Sequence, residues 1–207
     1  MAQIKNNQEE IPFNHYAALY RQTDPEEVSA RTGLPFDPVS RSFTLKLMQS
    51  VYTIAHPVFS VRFQSGPGDR LSGFPAGQIV VMRFLIEGHL IRSNGSYLAY
   101  RDMPWGDVYN ANFRSRCINR LARTFAGREE EVAQKMHRLG GIPYEKGDIG
   151  WEFEFLPGLS IRFSIWNADD EFPPSAQILF SDNFSYAFSA EDMAFIGDIF
   201  IGILSKA

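Results

Sequence analysis

The sequence predicts an α+β protein, with short antiparallel strands in two β-meander-plus-helix halves packed with additional helices. Three observations lead there. Apolar residues alternate with period two around residues 42–63 and 151–180, the signature of half-buried strands. Each stretch is followed by a very apolar helical segment. Between them, residues 112–139 show helical spacing interrupted by glycine stops, and strands and helices segregated in this way fit α+β better than alternating α/β. A loose lead-in is expected over residues 1–12, then a single domain over 13–207 whose two halves, about 42–90 and 151–205, share one pattern.

Asp24-Pro25-Glu26-Glu27 predicts a helix start, with Asp24 as cap, Pro25 in the first turn and Glu27 placed to close a capping box. Gly33 supplies its left-handed stop. Phe43, Leu45 and Leu47 alternate with Thr44 and Lys46, and Phe59, Val61 and Phe63 alternate with Ser60 and Arg62. With Val51–Ile54 between them, these make a three-strand meander. Ser65–Gly73 is a loop by composition. Pro75 opens a helix through Glu87 with Gly88 as its stop, apolar enough to be buried. Asn94-Gly95 and Pro104-Trp105-Gly106 mark a loop before a helix from about Asn112 to Phe125, ended by Gly127. Glu129–Leu139 is a further helix, with acids at its start and bases at its end, as the helix dipole favours. Trp151, Phe153 and Phe155 form a strand, and Pro157-Gly158 turns into Ile161, Phe163 and Ile165. Arg162 can then meet Glu152 or Glu154 across the hairpin. Ala176–Phe180 is a third strand, and Ser189 with Asp192 caps a last helix over residues 190–205.

Composition narrows the function classes. The 207 residues include 18 Phe, 8 Tyr and 3 Trp, ample for a packed core. Twenty basic residues stand against 24 acidic ones, net −4, without the basic excess of a nucleic-acid binder. A single cysteine, Cys117, excludes an intrachain disulfide, an iron–sulfur cluster or a cysteine-based zinc site in this chain. The polar amino terminus has no signal-peptide core. The apolar run Met193–Leu204 is interrupted by Gly197, Asp198 and Gly202 and is shorter than a bilayer span. The expectation is a soluble cytoplasmic protein with no nucleic-acid or membrane partner.

The densest acidic group is Asp169, Asp170 and Glu171, between Trp166 and Pro173-Pro174. Hard cations need several oxygen ligands, so the triplet reads either as a cation site or as a solvated hairpin loop. Adjacent strand residues point alternately, which favours the loop. Arg114 is the second candidate. In an ideal helix Phe113, Cys117, Ile118, Leu121, Ala122 and Phe125 share an apolar arc and Arg114 projects into it, between Leu121 and Phe125. A guanidinium aimed at a core needs an acid, such as Asp102 or Asp148; otherwise it snorkels. Arg116, Arg120 and Arg123 lie opposite, as a solvated face. His15, His56, His89 and His137 have no metal-ligand spacing and read as surface or loop residues. Cys117 reads as core. Gly66-Pro67-Gly68-Asp69 has glycines but no phosphate-loop ending.

Gly140-Gly141, Gly147-Asp148, Leu156-Pro157, Trp166, Asp170-Glu171-Phe172-Pro173 and Ile178-Leu179-Phe180 together resemble domain-of-unknown-function family 3786. Asp24-Pro25, Tyr100-Arg101-Asp102-Met103-Pro104 and Tyr109–Phe113 extend the resemblance over about residues 15–205. It implies a cytoplasmic protein of bacteria or archaea, largely anaerobes, and brings no established activity. Some relatives carry a cysteine-rich iron–sulfur segment, and some are linked with corrinoid or one-carbon metabolism. This chain departs from the first group in its single cysteine. It also reads Phe180-Ser181-Asp182 where relatives place the acid directly after the Phe.

Two functions are expected on these grounds. One is a non-catalytic accessory protein of anaerobic metabolism that binds a protein or small-molecule partner. The other is a carboxylate-based, divalent-metal-dependent enzyme using Asp169–Glu171. In either case the site is expected around Trp166, Asp169, Asp170 and Glu171, with Arg101, Asp102 and Arg114.

Overall fold

The computed structural model describes residues 10–206. The chain divides into two compact units, one reaching Lys46 and resuming over Ser50–Leu90, the other comprising Leu47–Gln49 and Ile91 onward.

In the first unit, helices α1 (Glu10–Tyr20), α2 (Pro25–Thr32) and α3 (Pro75–Glu87) accompany a four-stranded sheet. Its strands β1 (Phe36–Asp37), β2 (Ser42–Leu47), β3 (Ser50–Ala55) and β4 (Ser60–Ser65) stand side by side in chain order. Of the expected lead-in, residues 1–9 lie outside the described residues, and residues 10–12 form the first turn of α1. Asp24 caps α2, its Oδ1 accepting from the N–H groups of Glu26 at 2.8 Å and Glu27 at 3.2 Å, and Gly33 ends it at φ 70°. Phe43, Leu45, Tyr52 and Ile54 point inward, as the period of two requires. The buried face of α3 carries Val80, Val81, Phe84 and Leu85.

One feature of this unit differs from expectation, and a second has no counterpart in the sequence pattern. His56 is buried, not a surface histidine: it packs edge-on against Tyr20 and lies 3.0 Å from the Thr23 carbonyl through Nε2. Arg31 leaves the surface of α2 to donate to the carbonyls of Leu85, Ile86 and Gly88. These are the acceptors that a helix end leaves unpaired.

The second unit is a five-stranded antiparallel sheet in the order β5-β9-β8-β7-β6. Its strands are β5 (Tyr97–Ala99), β6 (Ile142–Pro143), β7 (Ile149–Leu156), β8 (Leu159–Trp166) and β9 (Ser175–Ser181). Helices α4 (Gly106–Phe113) and α5 (Asn119–Phe125) are joined without a break by a π-helical turn, Arg114–Ile118. Then come α6 (Glu129–Arg138), the single turn α7 (Phe184–Ala187) and α8 (Ala190–Lys206). Phe153 and Phe163 of the sheet meet Phe200 of α8 at ring separations of 4.7 and 5.1 Å. Ser189 and Asp192 cap α8 reciprocally, a capping box. Arg162 stands opposite Glu152 and bonds it at 2.6 Å. No described helix is long and apolar enough to cross a membrane.

The α4–α5 helix starts at Gly106, six residues before the sequence suggests, and its π turn changes which residues face inward. Phe113, Cys117, Leu121, Ala122 and Phe125 are buried, but Arg114 is exposed rather than aimed between Leu121 and Phe125. A π turn accommodates one extra residue, which rotates α4 by about 100° relative to α5 about the common axis. Arg116 and Arg120 do not simply face solvent, since both pair with Asp198 of α8.

Candidate functional site

The second unit contains an open cleft of about 290 Å³ where β5 leaves the sheet. After Ala99 the chain turns away into a short 3-10 segment, Tyr100–Asp102. Tyr100 fixes that departure: its ring stacks on Phe113 at 4.1 Å, and its hydroxyl donates to the Ala190 carbonyl at 2.8 Å. The next helix can begin beside it only because residue 106 is glycine, since a Cβ there would lie 1.8 Å from the Tyr100 carbonyl oxygen. Trp105, just before, sits at φ 63°, which bulky residues rarely adopt. Together these features set the 3-10 turn against the helix and bring Arg101 and Arg114 to one cavity.

The opposite wall is the start of β9, with Ala176 and Gln177, and Trp166 closes one end. Trp166 stands opposite Ser175 at the end of the β8–β9 pairing. Asn110, Phe113 and Ile118 complete the helical side. Arg114 and Arg101 are solvent-exposed. Arg101 shares its charge with neighbouring Asp102 at 3.5 Å. Arg114 makes no ion pair or side-chain hydrogen bond among the described residues.

Of the seven residues singled out from the sequence, Arg101, Arg114 and Trp166 therefore line one cleft. Asp102 does not line it but pairs with Arg101. Asp169, Asp170 and Glu171 lie beyond Trp166 in the β8–β9 connection, exposed and outside the lining. Asp169 builds that loop. Its Oδ1 accepts from the N–H groups of Glu171 at 2.9 Å and Phe172 at 2.7 Å, and its own N–H donates to the Phe172 carbonyl. This is an Asx turn, which engages Oδ1 of that carboxylate in shaping the loop. Among the described residues no group of three or more His, Cys, Asp or Glu is placed to hold a metal ion.

Asp148 does not pair with Arg114; it accepts from the Asn167 N–H at 2.7 Å. The Asn167 side chain in turn accepts from the Gly127 N–H and donates to Glu129, each at 2.6 Å. That polar junction left no trace in the sequence pattern. Nor did Gln177, whose place in the cleft depends on strand pairing. Asn110 was readable in principle, as it lies four residues before Arg114 on the same helical face.

The cleft's chemistry is set by its lining. Two guanidiniums supply fixed positive charge and forked donors, Asn110 and Gln177 supply amides, and Trp166 supplies an aromatic surface. Burial pushes the Tyr100 phenol up to about 12. Cys117, on the inner face of the helix, is also pushed up to about 12, by burial and then by Asp198. Neither serves as a base or nucleophile near neutral pH. The arrangement suits holding an anionic group more than transforming one.

No curated protein and no solved structure matches the chain. The family model described as Domain of unknown function (DUF3786) matches residues 24–202, most of the sequence, and the chain belongs to that family.

Proposed function

We propose that this protein is a non-catalytic binding protein, a cytoplasmic accessory of anaerobic prokaryotic metabolism, that holds an anionic group of a small molecule or partner in the cleft of Arg101, Arg114 and Trp166. The observation that carries this reading is Arg114, a guanidinium turned toward the cleft by a π-helical turn and without an acid partner among the described residues. Single π turns inside α-helices recur at functional sites because they re-aim side chains at the cost of helical regularity. The lining itself is made of guanidiniums, amides and aromatic and aliphatic groups, without a carboxylate, histidine or serine among the described residues, which favours binding over acid–base chemistry.

Thermal unfolding with phosphate, succinate and citrate tests the reading. A ligand bound only by the folded state raises stability by about 2.7 kcal/mol at a hundred times its dissociation constant. At least one of these anions is expected to raise the midpoint saturably, and Arg101→Ala/Arg114→Ala is expected to abolish the rise. No shift with any of the three, or a shift indifferent to the double substitution, overturns the proposal. Titration with Mg²⁺ and Mn²⁺ is the companion measurement. A shift there that disappears in Asp170→Ala/Glu171→Ala would move the function to the acidic loop.

A further inference from the structure

We propose that the cleft receives an extended, acidic peptide segment of a partner protein, which adds as a strand to the open edge of β9. This rests on the anion-binding reading above and names the class of ligand.

The edge comes first. β8 pairs with β9 from Ser175 to Phe180, whereas β5 pairs with it only over Leu179–Ser181. Among the described residues Ser175–Ile178 therefore has no strand neighbour on the β5 side. The Asp182 N–H donates to the Ser96 carbonyl, on that same side. Backbone groups alternate with period two along a strand, so the N–H groups of Phe180, Ile178 and Ala176 point the same way. Phe180 lies opposite Leu98 of β5. Ala176 instead borders the cleft, with Gln177 beside it. An unpaired strand edge is a template for pairing with another chain.

The wall across from this edge is helical. Asn110, Arg114 and Ile118 line it at intervals of four residues. A groove between a strand edge and a helix is the geometry in which peptides bind by strand addition: main-chain hydrogen bonds supply affinity, and pockets for alternate side chains supply specificity. A small anion would use the guanidiniums and leave the edge unpaired. A peptide uses both. From Ser175 to Gln177 the open edge spans about 7 Å before the buried Ile178 closes it, room for a short segment paired through the main chain of Ala176 and held by the guanidiniums.

Charge selects the kind of peptide. The helix from Gly106 to Phe125 carries Arg114, Arg116, Arg120 and Arg123 against one acid, Asp107, in a chain whose net charge is −4. Asp198 offsets Arg116 and Arg120. Arg114 faces the groove without such an offset among the described residues. A second copy of this chain is a poor occupant, because a two-fold pair would set the arginine-bearing edge against itself.

The test uses the whole protein and capped peptides of alternating valine and glutamate. Controls alternate valine with lysine, or keep the valine–glutamate sequence with N-methyl groups along one edge. At about ten times its dissociation constant, the acidic peptide is expected to slow hydrogen exchange of the Ala176 amide about tenfold. Both controls are expected to leave it unchanged, and Arg114→Ala to weaken binding at least about tenfold. Failure of the acidic peptide to protect Ala176, or equal binding of the N-methylated form, overturns strand addition. The anion reading survives that result if phosphate, succinate or citrate still stabilises the parent and not Arg101→Ala/Arg114→Ala. If those anions fail as well, both fall together. Protection of Ala176 that rises with protein concentration alone would put a second copy on the edge and overturn the peptide assignment.

Discussion

His56 shows how a single side chain ties stability to pH. Its Nε2 lies 3.0 Å from the Thr23 carbonyl, so the neutral ring donates there, and Nδ1 is buried with no partner among the described residues. Protonation would place a second N–H, and a charge, where nothing accepts it. Burial accordingly lowers the His56 pKa from its ordinary value, more than the Thr23 contact raises it. A base whose folded pKa is depressed binds fewer protons folded than unfolded. Its contribution is therefore complete above the unfolded value of about 6.5 and is lost as pH falls below it. Urea unfolding between pH 7.5 and 5 is expected to show stability falling with acidity. His56→Gln, which keeps a donor for Thr23, is expected to flatten that slope, and equal slopes in the two proteins would show that His56 does not set it. Arg114 is governed by geometry rather than by titration. Its identity was visible in the sequence, but its direction was set by one extra residue in a helical turn.

Among the elements, α3 depends on a residue from outside itself. It ends at Glu87 without a left-handed cap, since Gly88 is extended at φ −67° and ψ 145°. Arg31 of α2 satisfies its last carbonyls, those of Leu85 at 2.8 Å and Ile86 at 3.1 Å, together with that of Gly88. Arg31→Ala strips three acceptors at once. A hydrogen bond from a charged donor contributes about 1.5–3 kcal/mol, and water will replace part of this, so a loss of about 1–3 kcal/mol is expected in denaturant unfolding. Arg31→Lys should recover only part, because a single ammonium lacks the planar fork. A loss under about 0.5 kcal/mol would reduce this contact to a surface interaction. The α4–α5 helix is the converse case. Gly106 and Tyr100 decide where it begins, and no capping residue announces it. The predicted start near Asn112 was late because Trp105 is an unlikely N-cap by propensity.

For the whole molecule, the division into two compact units makes a prediction about where binding is felt. Every residue lining the Arg101–Arg114 cleft belongs to the second unit. Hydrogen exchange with a stabilising anion present is therefore expected to slow in β8, β9, α4 and α5 first, leaving β2–β4 and α1–α3 near their unliganded rates. Uniform slowing across both units would show that they open as one cooperative body. The family assignment spans both units, residues 24–202, so the same measurement asks whether the first unit takes part in binding.

The sequence by itself determined the class, both meanders, the Asp24 and Ser189 caps and a cross-hairpin pairing of Arg162 with Glu152 or Glu154, of which the register selects Glu152. Each of these rests on interactions between residues near in sequence or directly opposite in a hairpin. It also brought Arg101, Arg114 and Trp166 to notice, through helical spacing and family resemblance. Tertiary structure decided what those residues do. It put Tyr97–Ala99 beside Leu179–Ser181, left Ser175–Gln177 of β9 without a strand neighbour on that side among the described residues, buried His56 and turned Arg114 outward. Strand order, π turns and caps supplied from another helix depend on contacts between distant segments. Local propensity and periodicity carry no record of such contacts.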